Sequence, residues 1–293
     1  MIPPGCQFLW TSIRTGNGQV FVIDGDTGDT ANISRGGSAY DRYPSWSPDG
    51  SQVAFTSDRD GAFNLFLVEA GGSNLRQLTH EKPPVVAGMQ SWTSDGRWIY
   101  FGLFQKGEPQ MCRIAPDGSG FEILGWGVDP AISPDGKSMA YARNYEQGHL
   151  LFAAGSDGRD ERPLTAEPNP VAGVHATWTP DGSAIVYADR VGNALELFIS
   201  APDGASKRQL TSFGMAATSP AVSQDGRWIT FRLCDEIFWR DEAAMRKAYG
   251  EKRADLRPVW IMGMDGSDPH VIELLRYHTT IDGSRVPIRP SSR

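Results

Sequence analysis

Ser47-Pro48-Asp49-Gly50 returns along the chain as Ser94-Asp95-Gly96, Ser133-Pro134-Asp135-Gly136, Thr179-Pro180-Asp181-Gly182 and Gln224-Asp225-Gly226, with a degenerate Ile281-Asp282-Gly283 near the end. The aspartates follow one another at steps of 46, 40, 46, 44 and 57 residues. Periods of this size belong to repeat architectures, in which one unit cannot bury its apolar face alone and neighbours must stack.

The unit that begins at Tyr43 reads most clearly. Tyr43-Pro44-Ser45-Trp46 leads into the Asp-Gly turn, and Val53-Ala54-Phe55-Thr56-Ser57 follows as a β-rich run. Then come the turn Asp58-Arg59-Asp60-Gly61, the run Asn64 to Val68, the turn Gly71-Gly72-Ser73 and a Leu78-Thr79 ending. Asp hydrogen-bonds its own downstream backbone and Gly supplies positive φ, so each pair sets a tight reversal between antiparallel strands. Four strands, A to D, make one propeller blade. The same grammar places Trp46, Trp92 and Trp178 on strand A, with Ile132 and Val222 in their place elsewhere, and repeats Leu-Thr at Leu164-Thr165 and Leu210-Thr211.

The chain opens on a B-like strand, Phe8 to Ser12, without a strand A before it. Tyr277 to Gly283 reads as the missing strand A and its turn. The expected fold is therefore an all-β, six-bladed propeller of four-stranded antiparallel blades, one domain over 1–293. The C-terminal strand completes the first blade and hides two sheet edges. The other five blades start near Tyr43, Met89, Asp129, His175 and Ser219. An insertion over 234–257 in the last blade carries helix formers at 241–249, acids first and bases later as the helix dipole favours, and is expected to form a short helix capping the channel mouth.

The Tyr-Pro-x-Trp-Ser-Pro-Asp-Gly-Ser pattern, with its Ser-Asp-Arg-Asp-Gly hairpin and Leu-Thr ending, resembles the TolB-like propeller repeat over nearly the whole chain. That resemblance implies a periplasmic interaction platform. Met1 to Cys6 lacks the basic and apolar stretches of an export signal, so the sequence as written reads as cytoplasmic. More distantly the repeats are similar to those of oligogalacturonate lyases, a family whose implied chemistry is metal-assisted β-elimination.

A formal charge of −7 argues against affinity built on phosphate neutralisation, hence no nucleic-acid partner. No apolar run reaches the length of a membrane span. The three cysteines, Cys6, Cys112 and Cys234, lack metal-ligand spacing and read as ordinary thiols. No Gly-x-Ser-x-Gly elbow occurs, so nucleophilic hydrolysis is not expected. Asp24-x-Asp26-x-Gly28-Asp29 lacks the distal Glu of a calcium loop and reads as a hairpin turn.

Propeller topology puts the D–A connectors and B–C loops on one face, around the channel mouth, and binding residues favour such varied loops over a rigid scaffold. Residues just ahead of strand A line that mouth: Arg42, Tyr43, Met89, Gln90, Asp129, His175 and Ser219. Arg42, Tyr43, Gln90, Asp129 and His175, with Trp239 and Arg240 from the cap, are the candidate ligand-binding residues for a protein segment or glycan. The chain is expected to act as a monomer, without cofactor or catalysis. The alternative is an oligouronide lyase holding manganese or calcium through His80, Gln90 and His175, with His175 and Arg42 in catalytic roles.

Overall fold

A computed structural model describes residues 6–12, 17–105, 109–145, 148–166, 175–234, 259–272 and 288–290. Among these, every element is a strand. The first sheet contains β1 (Cys6–Ser12), β2 (Gln19–Asp24) and β3 (Thr30–Asn32). The second runs β4 (Asp41–Trp46), β5 (Gln52–Ser57), β6 (Asn64–Glu69), β7 (Arg76–Gln77). The third runs β8 (Val86–Trp92), β9 (Ile99–Phe104), β10 (Gln110–Ile114), β11 (Glu122–Trp126). The fourth comprises β12 (Val128–Ile132), β13 (Ser138–Tyr145), β14 (Gly148–Gly155) and β15 (Arg162–Pro163). Two further meanders follow. One is β16 (Ala176–Trp178), β17 (Ile185–Val191), β18 (Ala194–Ser200) and β19 (Arg208–Gln209). The other is β20 (Ala216–Val222), β21 (Trp228–Cys234), β22 (Val259–Gly263) and β23 (His270–Val271). A single parallel pairing, Leu195 with Ala216, joins these last two. Finally β24 (Ile288–Pro290) lies antiparallel beside β1 in the order β24-β1-β2-β3.

The repeated motifs have direct structural causes. In the turn after β4, Ser47 Oγ donates to Asp49 Oδ1 at 2.6 Å and accepts the N–H of Gln52 at 2.9 Å. Gly50 closes it at φ +69°, where a side chain would be strained. The Leu-Thr endings lie just past the short outer strands. Thr79, Thr165 and Thr211 each accept a backbone N–H of the third strand, from Leu65, Leu151 and Leu197. The hydroxyl thus takes over where the two-residue ladder stops.

Burial is between sheets. Leu9, Val20 and Ile33 pack with Trp46, Val53 and Phe55; Ala54, Leu65 and Leu67 pack with Ile99, Phe101 and Cys112. Tyr100 and Met111 meet Met139 and Tyr141, and Ala140 and Leu151 meet Ile185 and Tyr187. Val186 and Leu197 meet Ile229 and Phe231. The series then returns to its start: Val259, Ile261 and Ile272 pack against Phe8, Trp10 and Phe21. At roughly 1.5–3 kcal/mol per fully buried large apolar side chain, these interlocking layers carry the fold.

One expectation changes at the join. The strand beside β1 is Ile288–Pro290, with Ile288 opposite Phe8 and Pro290 opposite Cys6. Residues 277–281, read as that strand from the sequence, lie outside the described residues. Ile288 and Phe8 lie 280 positions apart, a relation that a local Asp-Gly motif does not encode. The proposed helix at 241–249 also lies outside the described residues, and β21 extends through Cys234, where the insertion was expected to begin.

Candidate functional site

The innermost strands β4, β8, β12 and β20 share a departure from regular pairing. Their registers with β5, β9, β13 and β21 slip between Arg42 and Ser45, Gly88 and Ser91, Val128 and Ala131, and Thr218 and Ala221. At each slip a non-glycine residue adopts positive φ: Tyr43 at 52°, Met89 at 58°, Asp129 at 53° and Ser219 at 53°. Bulges of this kind re-aim side chains and are recurrent features of functional rims. The sequence signal was present in Tyr43-Pro44, Asp129-Pro130 and Ser219-Pro220, because proline has no N–H for the ladder and settles at bulges.

In the third sheet Gln90 occupies the proline position, and its amide reaches back to the neighbouring sheet. Nε2 donates to Ala54 O at 2.9 Å and also to Tyr43 O. Gln90 Oε1 is buried without a hydrogen-bond partner. Two sheets further round, His175 Nδ1 pairs with Asp129 Oδ2, and both side chains are buried. Burial, with the nearby His175, pushes the His149 imidazole below its usual range. Arg42 is half-buried, its guanidinium 4.0 Å from the Phe63 ring centroid and 5.1 Å from that of Tyr43. The expected rim residues therefore fall into two groups. Gln90, Asp129 and His175 link adjacent sheets, whereas Arg42 and Tyr43 form a cation–aromatic pair. His80 is exposed. Trp239 and Arg240 lie outside the described residues.

The opposite end of the inner strands, read from sequence as structural turns, holds an axial cavity of about 450 Å³. Five sheets contribute equivalent positions to it. Trp46, Trp92, Ile132, Trp178 and Val222 form one tier, and Pro48, Ser94, Pro134, Pro180 and Gln224 another, and among the described residues of the lining no side chain is charged. Trp178 Nε1 donates to Ala131 O at 2.8 Å, fixing the indole across the sheet boundary. Turn packs on turn around the opening: a Cβ added to Gly182 would stand 3.5 Å from Pro134, and one on Gly226 3.6 Å from Pro180. The tryptophans were legible; that their lower edges enclose a space was not, because the period gives position along the strand and not the radius of the ring.

Outside the opening stands a ring of exposed turn aspartates. Hydroxyl donation from Ser47, Thr93 and Ser133 holds Asp49, Asp95 and Asp135 below the usual carboxylate range, and Thr179 with Ser183 brings Asp181 down to about 2. At Asp225 burial works in the other direction and is outweighed by Ser223 and Arg227.

Meanders arranged around an axial cavity define a β-propeller, and the comparisons place it as TolB-like. Residues 41–166 match the family described as PD40, TolB beta propeller domain. An uncharacterized protein of Agrobacterium fabrum is 26% identical over 123 residues, 42% of this chain and 41% of that protein. The Tol-Pal system protein TolB of Desulfosudis oleivorans is 25% identical over 118 residues, 39% of this chain and 26% of that one. The matched segments thus span less than half the length of each of these relatives. Among solved structures, TolB from Acinetobacter baumannii superposes with a TM-score of 0.67 at 16% identity, covering 97% of this chain and 65% of that one. An oligogalacturonate lyase in complex with manganese gives 0.62 at 16% identity, covering 91% and 73%.

Proposed function

We propose that this chain is a non-catalytic binding propeller of the TolB-like kind, with six blades in a closed ring, that seats a protein segment or glycan on its channel axis. The single observation that carries this reading is the axial cavity, to which five sheets present the same strand positions, uncharged among the described residues. Preformed concave sites of this volume are typical of ligand pockets. At the other mouth Arg42 and Tyr43, with His175, Trp239 and Arg240, are proposed to meet anionic groups of the same ligand. A periplasmic location, implied by the resemblance, belongs to the same proposal.

The lyase reading asks for a metal held by His80, Gln90 and His175. Two of these three side chains are engaged between sheets, Gln90 Nε2 with Ala54 O and Tyr43 O and His175 Nδ1 with Asp129, and His80 is exposed, which favours the binding reading.

Titration calorimetry with a panel of extended peptides and neutral and uronic oligosaccharides tests the proposal, on the wild type and on Trp92→Ala and Arg42→Ala. Binding lost in Trp92→Ala places the ligand in the axial cavity, and binding lost only in Arg42→Ala places it at the opposite mouth. Unsaturated product from oligogalacturonate with added manganese overturns the non-catalytic reading. Absence of any binding overturns the binding reading.

A further inference from the structure

The outer edges of the described sheets differ in length and in exposed apolar surface. β7, β15, β19 and β23 are two residues long and β3 is three, whereas β11 is five. Arg76, Arg162 with Pro163, and Arg208 sit on three of the short edges, and brevity, charge and proline are the usual means of keeping open backbone from pairing with another chain. In the third sheet the Leu-Thr ending is replaced by Phe121-Glu122-Ile123-Leu124, and Phe121 and Ile123 are 46% and 51% exposed.

The two faces of this edge differ. Ile123 stands opposite Cys112 and Glu122 opposite Arg113, so Phe121 and Ile123 share one face and Glu122 takes the other. Arg113 neutralises Glu122 through Nε at 2.8 Å and Nη2 at 2.5 Å. A register slip beyond Ile123 confines the regularly paired part of the edge to Glu122 and Ile123, with Phe121 immediately ahead of the strand.

We propose that this edge pairs with the same edge of a second copy of the chain, antiparallel about a two-fold axis at Glu122. That symmetry sets Phe121 against the other copy's Ile123 twice over on one face. On the other it aligns Arg113, Glu122, Glu122 and Arg113, a row without net charge. A neutral apolar strand suits this edge, and the arginine-bearing edges would oppose their own copies. The contact is isologous and small, so the dimer is transient, and it departs from the monomer expected from the sequence.

Sedimentation velocity from micromolar to millimolar protein tests it, together with oxidative crosslinking of Glu122→Cys, whose thiols would face each other across the axis, against Lys137→Cys as an exposed control. The expected result is a concentration-dependent dimer abolished by Ile123→Lys with unchanged melting, and crosslinking in Glu122→Cys alone. A chain that stays monomeric at millimolar concentration overturns the proposal. So does a dimer that survives Ile123→Lys, or equal crosslinking in both cysteine variants. Slowed exchange of the β11 amides in a chain that captures a foreign extended peptide while remaining monomeric would assign the edge to another occupant.

Discussion

Thr211 donates its hydroxyl to Glu196 Oε2 at 2.6 Å while accepting the N–H of Leu197 at 2.9 Å, so one short side chain satisfies two buried groups of the third strand. Glu196 also accepts the N–H of Gly214 at 2.7 Å. In the second sheet Thr79 donates to Asn64 Oδ1 at 2.8 Å in the same way. Thr211→Val keeps the shape and strips the hydroxyl, leaving the Leu197 N–H and one carboxylate oxygen short of a partner inside the protein. The expected loss is about 1–3 kcal/mol, read as a lower urea midpoint with an unchanged m-value. Thr79→Val should behave alike.

The depressed turn aspartates make stability pH-dependent, with a definite sign. A carboxylate whose folded pKa lies below its unfolded value stabilises the protein above the unfolded value, and that contribution fades as pH falls through the folded one. With Asp181 at about 2 and Asp49, Asp95 and Asp135 also lowered, the melting temperature should fall between about pH 4 and pH 2. Asp181→Asn should be less stable than wild type at neutral pH and show a shallower acid slope in thermal melts at stepped pH.

How far the sequence revealed this follows from what each motif encodes. The Asp-Gly turns and the strand-A tryptophans lie where the repeat put them, because Asp49 and Gly50 act locally within a few residues. The rim did not follow the same logic. Asp129 and His175 were read as lining an opening, yet they pair with each other across a sheet boundary, a relation between residues 46 positions apart that no local pattern records. Ile288–Pro290 was missed for a similar reason: its pairing with residues 6–8 spans the sequence, and the Asp-Gly motif used to find strand A records only a local turn.

Gly136 isolates backbone strain from packing. It sits at φ +70°, and a Cβ added there would have no heavy atom within 4 Å. Gly136→Ala is therefore expected to cost about 1–2 kcal/mol through the left-handed conformation alone. Gly182→Ala adds ordinary contact with Pro134 at 3.5 Å and should cost a similar amount. Chemical denaturation of the two variants side by side checks this, and a much larger loss at Gly182 would mean that turn-to-turn packing is tighter than the geometry indicates.

The pairing of β24 with β1, Ile288 opposite Phe8, covers one edge of the first sheet. Without β24, β1 has an open edge of backbone donors and acceptors beside Phe8 and Trp10, whose side chains form the layer shared with Val259 and Ile261. Open edges next to apolar layers are templates for pairing with other chains. Truncation before Ile288 should lower the melting temperature, broaden the transition and raise light scattering on heating. Hydrogen exchange should locate the loss first in β1 and β22, while the amides of β9 and β13, in the third and fourth sheets, retain their protection. Equal loosening of all sheets would show that the stitch governs global stability, and unchanged protection in β1 would show that β24 contributes no more than an edge cover.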